Sequence, residues 1–161
     1  MLLDLGVNME HFKDNERGFS INTNAPLDMR FAREGNRRSA KDIINSSSPQ
    51  QLEKMLTTYG DFSPKTASYL SKGILEARSK APLETTDQLK SLLHSLHCNQ
   101  KKVAVVFQAL RIETNQELEQ LEIFLKNFSK QLKIGGRCAI ITYHSIEDRI
   151  VKNAFKALAE S

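Results

Sequence analysis

The side chains best placed to do chemistry sit together in His144-Ser145-Ile146-Glu147-Asp148. They follow an apolar run, Cys138 to Tyr143, which comes after a helical pattern and the pair Gly135-Gly136. The glycines stop the helix, the apolar run reads as a buried strand, and the polar cluster falls at that strand's C-terminal end. In open α/β sheets this is the edge where ligands bind. His144 can hydrogen-bond a base or a phosphate. Ser145 can do the same or cap the helix that follows, and capping is the favoured role. Glu147 and Asp148 fall in the first helical turn, where the helix dipole favours anions whatever their task. Arg149 and Lys152 face either a polyanion or solvent. The group is not a Ser-His-Asp triad, because immediate chain neighbours lack the mutual geometry.

A second set lies near the N-terminus. Met1-Leu2-Leu3-Asp4-Leu5-Gly6-Val7 reads as a buried parallel strand with its turn. Asp4 at the strand end either accepts hydrogen bonds from ligand hydroxyl or ammonium groups or caps the turn before Gly6. An Asn8 carbonyl just past the strand end could accept hydrogen bonds from a ligand. A turn asparagine is the plainer reading of the same residue. His11 can donate and accept, as ligand contact or as surface residue. Arg30, Arg33, Arg37, Arg38 and Lys41 form the densest basic stretch, diluted by Asp28, Glu34 and Asp42; it tracks phosphates or forms a solvated face. His94, His97 and Cys98 lack a fourth ligand, so no metal centre is expected. Phe107 and Phe124 read as core before base-stacking platforms.

The elements that must hold these groups are mostly helical. Residues 8–45 read as loop. Ser48-Pro49-Gln50-Gln51 and Ser63-Pro64 start helices, and Thr85 to Gln88 is a capping box for a third, so a compact helical subdomain is expected. Gly60 is read as the stop of the first. Val103 to Phe107 has strand composition but helical spacing with Leu110, and helix is favoured. Thr114-Asn115-Gln116-Glu117 is read as the cap of a long helix through Leu132, and Ile150, Val151, Ala154, Phe155 and Leu158 as the inner face of a last one. Without the bundle the order is strand, helix, strand, helix, a right-handed crossover unit. A central strand needs neighbours on both sides, so the chain reads as part of a domain.

Composition sets the bounds. The 161 residues are 40% apolar and 26% charged with a formal net charge of +4, which is globular and mildly basic rather than disordered. No apolar run approaches a bilayer span, no signal peptide is evident, and two cysteines make no disulfide framework. A reducing cytoplasm is the expected setting, with no membrane partner.

Several segments taken together resemble one family, the bacterial methyltransferases of small-subunit (16S) ribosomal RNA that modify the N4 amine of a cytosine. The pieces are Leu3 to Val7, Arg17-Gly18-Phe19-Ser20, Pro26 to Arg30, Ser39 to Asn45, Glu76-Ala77-Arg78, Phe107 to Ile112, and Gly135 to Lys152. They occur in the family's order across nearly the whole chain. The resemblance implies an α/β fold: a partial doubly wound, class I (Rossmann-like) methyltransferase sheet over residues 1–27 and 106–161, interrupted by an inserted helical RNA-recognition domain over 28–105. It implies S-adenosyl-L-methionine as cofactor and small-subunit rRNA as partner. By this carry-over Asp4 and His11 contact cofactor, Asn8 and His144 serve catalysis, and Arg37, Arg38 and Ser145 contact substrate. His11 stands where the family usually has glutamine, and Asn8-Met9-Glu10 replace its usual serine pair and proline. The chain resembles the family's middle, so the isolated polypeptide is expected not to methylate. A missing upstream half, or another copy covering the sheet edge, is then a further expected partner. The alternative is a noncatalytic RNA-binding or ribosome-assembly module derived from such an enzyme.

Overall fold

The structure, a computed structural model, describes residues 1–6, 16–32 and 37–160. It divides into two compact units, residues 1–8 with 116–161, and residues 9–115. The second interrupts the first in chain order.

The helical unit contains five helices among its described residues: α1 (Ala40–Ser46), α2 (Pro49–Gly60), α3 (Pro64–Lys80), α4 (Thr86–Ser95) and α5 (Gln100–Asn115). The three starts read from sequence are present, each with its cap side chain on the N3 backbone N–H. Helix α1 replaces part of the expected 8–45 loop. Ser39 and Asp42 form a reciprocal capping box there, Ser39 N–H to Asp42 Oδ2 at 2.8 Å and Asp42 N–H to Ser39 Oγ at 3.2 Å. Gly60 does not supply the left-handed stop of α2; Asp61 does, with φ 55°. Val103 to Phe107 is helical, and Val103, Val106 and Leu110 are fully buried with Leu52 and Leu56 of α2.

The segment 16–32 lacks helices yet is firmly built in. Leu27 N–H reaches Glu84 O at 2.9 Å, and Met29 N–H reaches Arg17 O at 2.8 Å. Gly18 has φ +71°, and a Cβ there would lie 2.3 Å from the Pro26 carbonyl oxygen, so the turn requires glycine. Phe19, Leu27 and Met29 join the helical core. Residues 16–27 and 106–115 therefore pack with the helical unit, whose compact limits are wider than the 28–105 read from sequence.

Thr114 is not the start of a new helix. Its hydroxyl donates to Leu110 O at 2.7 Å within α5, and Asn115 is that helix's last residue. Asn115 is buried and works as a clasp, donating to Met29 O and accepting from Phe31 N–H, both at 2.8 Å. Gln116 then turns left-handed at φ 52°.

The other unit consists of β1 (Leu2–Asp4), α6 (Glu117–Asn127), a 3₁₀ turn (Phe128–Gln131), β2 (Ala139–Ile141) and α7 (Ser145–Ala159). The expected long helix thus ends at Asn127. The strands pair in parallel with Leu2 opposite Ala139, Leu3 opposite Ile140 and Asp4 opposite Ile141. Leu3 and Ile140 pack toward a core of Leu121, Leu125, Phe128 and Val151, where Phe128 meets the Phe155 ring edge-on at 5.6 Å. The strands are not buried on both faces as expected: Leu2 is 70% and Ile141 44% exposed. Period-two alternation puts these on the face away from the two helices. Leu158, expected to face inward, is exposed as well.

Replacing the clasp would strand a buried N–H and C=O in the helical unit. Asn115→Ala should lower unfolding stability by about 2 kcal/mol, read as a lower urea midpoint at unchanged slope.

Candidate functional site

Parallel pairing sends both strands out at one edge, so Asp4 and Tyr143-His144 emerge side by side. Asp4 is exposed; its Oδ1 accepts the Gly6 N–H at 2.9 Å, the turn-capping role, and its carboxylate also holds the Tyr143 hydroxyl. That hydrogen bond, with burial and the nearby negative charge, lifts the phenol above its ordinary value. The Tyr143 ring lies against Gly6, where a Cβ would come within 2.7 Å of it. A side chain at position 6 would displace the exposed Tyr143 ring.

Helix α7 begins one residue later than His144, and its cap is not Ser145. Ser145 is the first helical residue and is exposed. His144 takes the capping position, its Nδ1 accepting the Glu147 N–H at 3.4 Å. The imidazole serves because its lone pair reaches the N3 amide, as a serine oxygen would. Glu147 lies in the first helical turn as expected and is 3% exposed. Its Oε2 accepts the Tyr143 N–H at 2.9 Å and its Oε1 lies 3.0 Å from His144 Nε2. This close contact pairs the buried imidazole nitrogen with the carboxylate. Burial pushes the Glu147 carboxyl up, but the His144 side chain and the Tyr143 and His144 backbone N–H groups outweigh it and hold it below its usual range.

Sequence reasoning missed one member of this group. Glu117, first residue of α6, brings a carboxylate oxygen within 4.8 Å of the His144 and Glu147 donor atoms. Its distance along the chain hid it; the His-x-x-Glu spacing at a helix start was the local signal for the other two. Where a metal was weighed and set aside, His94 Nδ1 instead bonds Cys98 O at 3.0 Å, and Cys98 is buried. Asn8 and His11 lie outside the described residues.

Arg37 and Arg38 belong to the helical unit, and both are exposed. Arg38 braces α1 by donating to Ser46 Oγ at 2.6 Å, while Arg30 pairs with Asp28 at 2.5 Å and Lys41 with Glu84 at 2.7 Å. Arg30 and Lys41 are therefore neutralised locally. The same unit holds a cavity of about 280 Å³ lined by Phe19, Asn22, Met29, Phe107, Gln108 and Arg111, which offers ring faces together with amide and guanidinium donors. No helix among the described residues is long and apolar enough to cross a membrane.

A parallel strand pair flanked by helices, with polar groups gathered at the strands' C-terminal ends, defines the class as a partial α/β fold. The model of the MraW methylase family matches residues 1–161, and the chain belongs to that family. It is similar to the ribosomal RNA small subunit methyltransferase H of Coprothermobacter proteolyticus, 43% identical over 99% of this chain and 54% of that protein. The proteins of that name from Fusobacterium nucleatum subsp. nucleatum and Elusimicrobium minutum are each 41% identical over 99% of this chain, and over 51% and 54% of their own lengths. The chain spans about half the length of these curated relatives.

Because Glu147 is held ionised in the fold, it stabilises fully above its unfolded value near pH ~4.3 and loses that stabilisation as pH falls through the lower folded value. In EDTA, Glu147→Gln should be less stable than the parent by about 2 kcal/mol at pH 7. The gap should narrow as urea titrations are carried below the unfolded value near pH ~4.3.

Proposed function

We propose that this chain is part of an S-adenosyl-L-methionine-dependent methyltransferase that acts on the N4 amine of a cytosine in small-subunit rRNA. The observation that carries the reading is the parallel register of β1 and β2, which gathers Asp4, Tyr143, His144 and Glu147 at one strand edge. Membership of a methylase family and the names of the relatives support the reaction and the substrate class.

The exposed Asp4 carboxylate fits the cofactor, since it can accept from an amine or hydroxyl once the Tyr143 hydroxyl yields or shares it. S-adenosyl-L-methionine would supply an activated methyl group on a sulfonium centre. The cytosine must leave its stack to reach the edge, as base-modifying enzymes require. His144 would orient the base, and Asn8 would hold the amine hydrogens that compete for the nitrogen lone pair. Alignment and electrostatic support are the protein's contribution; direct displacement needs no covalent intermediate. The helical unit (residues 28–105 in the sequence reading) would dock structured rRNA, with Arg37 and Arg38 on phosphates. A cytoplasmic location follows from such a substrate, and so does a complementing polypeptide that covers the open strand face.

Deleting the gene and mapping cytosine methylation in small-subunit rRNA by mass spectrometry should remove an N4-methylcytosine. Unchanged methylation would refute the assignment. In RNA-binding titrations the double change Arg37→Glu and Arg38→Glu should weaken affinity uniformly across sequences. It should also reduce the log–log salt slope by up to ~2; an unaltered slope would dismiss the two arginines as phosphate contacts.

A further inference from the structure

Helix α5 lines the cavity of the helical unit with a single stripe of side chains. Ala104, Phe107, Gln108 and Arg111 follow at i, i+3, i+4 and i+7, and all four border that space of about 280 Å³. We propose that the cavity binds one unstacked nucleobase of an RNA strand, which rests on the reading of the helical unit as the part that docks RNA. The subsite is separate from any phosphate contact at Arg37 and Arg38.

The lining selects the ligand class. Phe19, Met29 and Phe107 are buried and give apolar contact area, while Ser20, Asn22, Gln108 and Arg111 carry polar groups. Asn22 is exposed and Gln108 half-buried, and neither side-chain amide has a hydrogen bond among the described residues. Each amide offers both donor and acceptor, the pairing by which asparagine and glutamine read base edges. Arg111 has other interactions and adds positive charge to the rim. A bare phosphate would gain nothing from the apolar walls, and an alkyl chain would leave the amides unmatched. A heterocycle uses both. The space lies at the lower edge of the about 300–1,000 Å³ usual for small-molecule sites, which suits one ring system.

The walls are built without help from a ligand. Lys90 Nζ donates to Ile21 O at 3.2 Å and Thr86 Oγ1 to Thr23 O at 2.7 Å. Phe19 stacks parallel on Phe31 with ring centroids 5.6 Å apart. Met29 is fully buried yet has φ 57°, a left-handed backbone that residues other than glycine rarely adopt. Its N–H donates to Arg17 O and its carbonyl accepts from Asn115 Nδ2, each at 2.8 Å. Such strain persists where the surroundings over-determine it, and ligand clamps are a common place for it. The Asn115 clasp therefore also fixes a wall of the cavity.

The test is methyl NMR on the full chain carrying ¹³C-labelled methionine methyl groups. Met29 reports from the cavity wall, and Met55 of α2, buried in the core outside that lining, is the reference. The probes are short single-stranded RNA homopolymers of each base and an abasic ribose-phosphate strand of equal charge, all at low salt. Base-bearing strands should shift the Met29 signal, and the abasic strand should not. Ala104→Phe, which fills the cavity from an exposed helix position, should weaken the base-dependent binding on the order of tenfold. Gln108→Ala should weaken it several-fold and level the preference among bases, with an unchanged circular dichroism spectrum. A Met29 signal unmoved by every strand at ~1 mM, equal shifts with the abasic strand, equal shifts at Met55, or unchanged affinity in both variants would each overturn the subsite. Methylation mapping after gene deletion reads out separately. Methylation lost with Met29 unmoved removes the subsite alone; a base-dependent Met29 shift with methylation unchanged removes the methyltransferase reading alone.

Discussion

The parallel pairing of Leu2–Asp4 with Ala139–Ile141 is the constraint on which the site depends. It joins segments that lie on either side of the helical unit in the sequence, and Leu5 N–H extends it by reaching Ile141 O at 3.1 Å. Loop-closure entropy grows only logarithmically with length, so a whole helical unit between the strands adds little to the cost a short connection would carry. That unit has its own core. The pairing is held by apolar register. Leu3 and Ile140 pack against the core of Leu121, Leu125, Phe128 and Val151, and a one-residue slip would turn them to the open face and reverse Asp4. Hydrophobic burial thereby sets the chemical register of the site.

Local signals were legible wherever the interaction that defines an element lies within a few residues. Ser48-Pro49, Ser63-Pro64 and Thr85 with Gln88 each announce a helix through contacts of short range, and each helix begins there. The box at Ser39 was passed over because its third position is Asp42, a shorter side chain than the glutamine or glutamate of the usual pattern. Asn115 failed differently. Next to Gln116-Glu117 it resembles part of a helix start, but its amide is spent on Met29 and Phe31, far back in the chain. A clasp of that range leaves no periodic trace. Nor does composition say which faces of a strand are covered: Leu2 and Ile141 are as apolar as any central strand residue.

The site was half legible. The glycine pair, apolar strand and polar cluster follow one another as read, and Asp4 meets the second strand's exit through Tyr143. The roles within the cluster were not readable. Serine is the better cap on propensity, yet the backbone makes His144 the last extended residue, with φ −143° and ψ 161°, and Ser145 the first helical one. A shift of one residue exchanges cap and helix surface. Glu147 shows the same limit, since a carboxylate at a helix start usually remains in water and only the packed structure reveals its burial.

That burial connects helix capping to the chemistry of the edge. His144 and Glu147 imitate a capping box, with imidazole in place of the hydroxyl and the carboxylate reaching one residue further back, to the Tyr143 N–H. The reach orients the backbone from which Tyr143 projects to Asp4, and Gly6 leaves room for its ring. Desolvation opposes a charged Glu147, and the neighbouring imidazole and N–H groups offset it. The charge that completes the start of α7 is thus the one that aims Tyr143. Neutralising it would loosen the cap and the strand-edge contact together, so stability and site geometry in this unit share a single buried carboxylate.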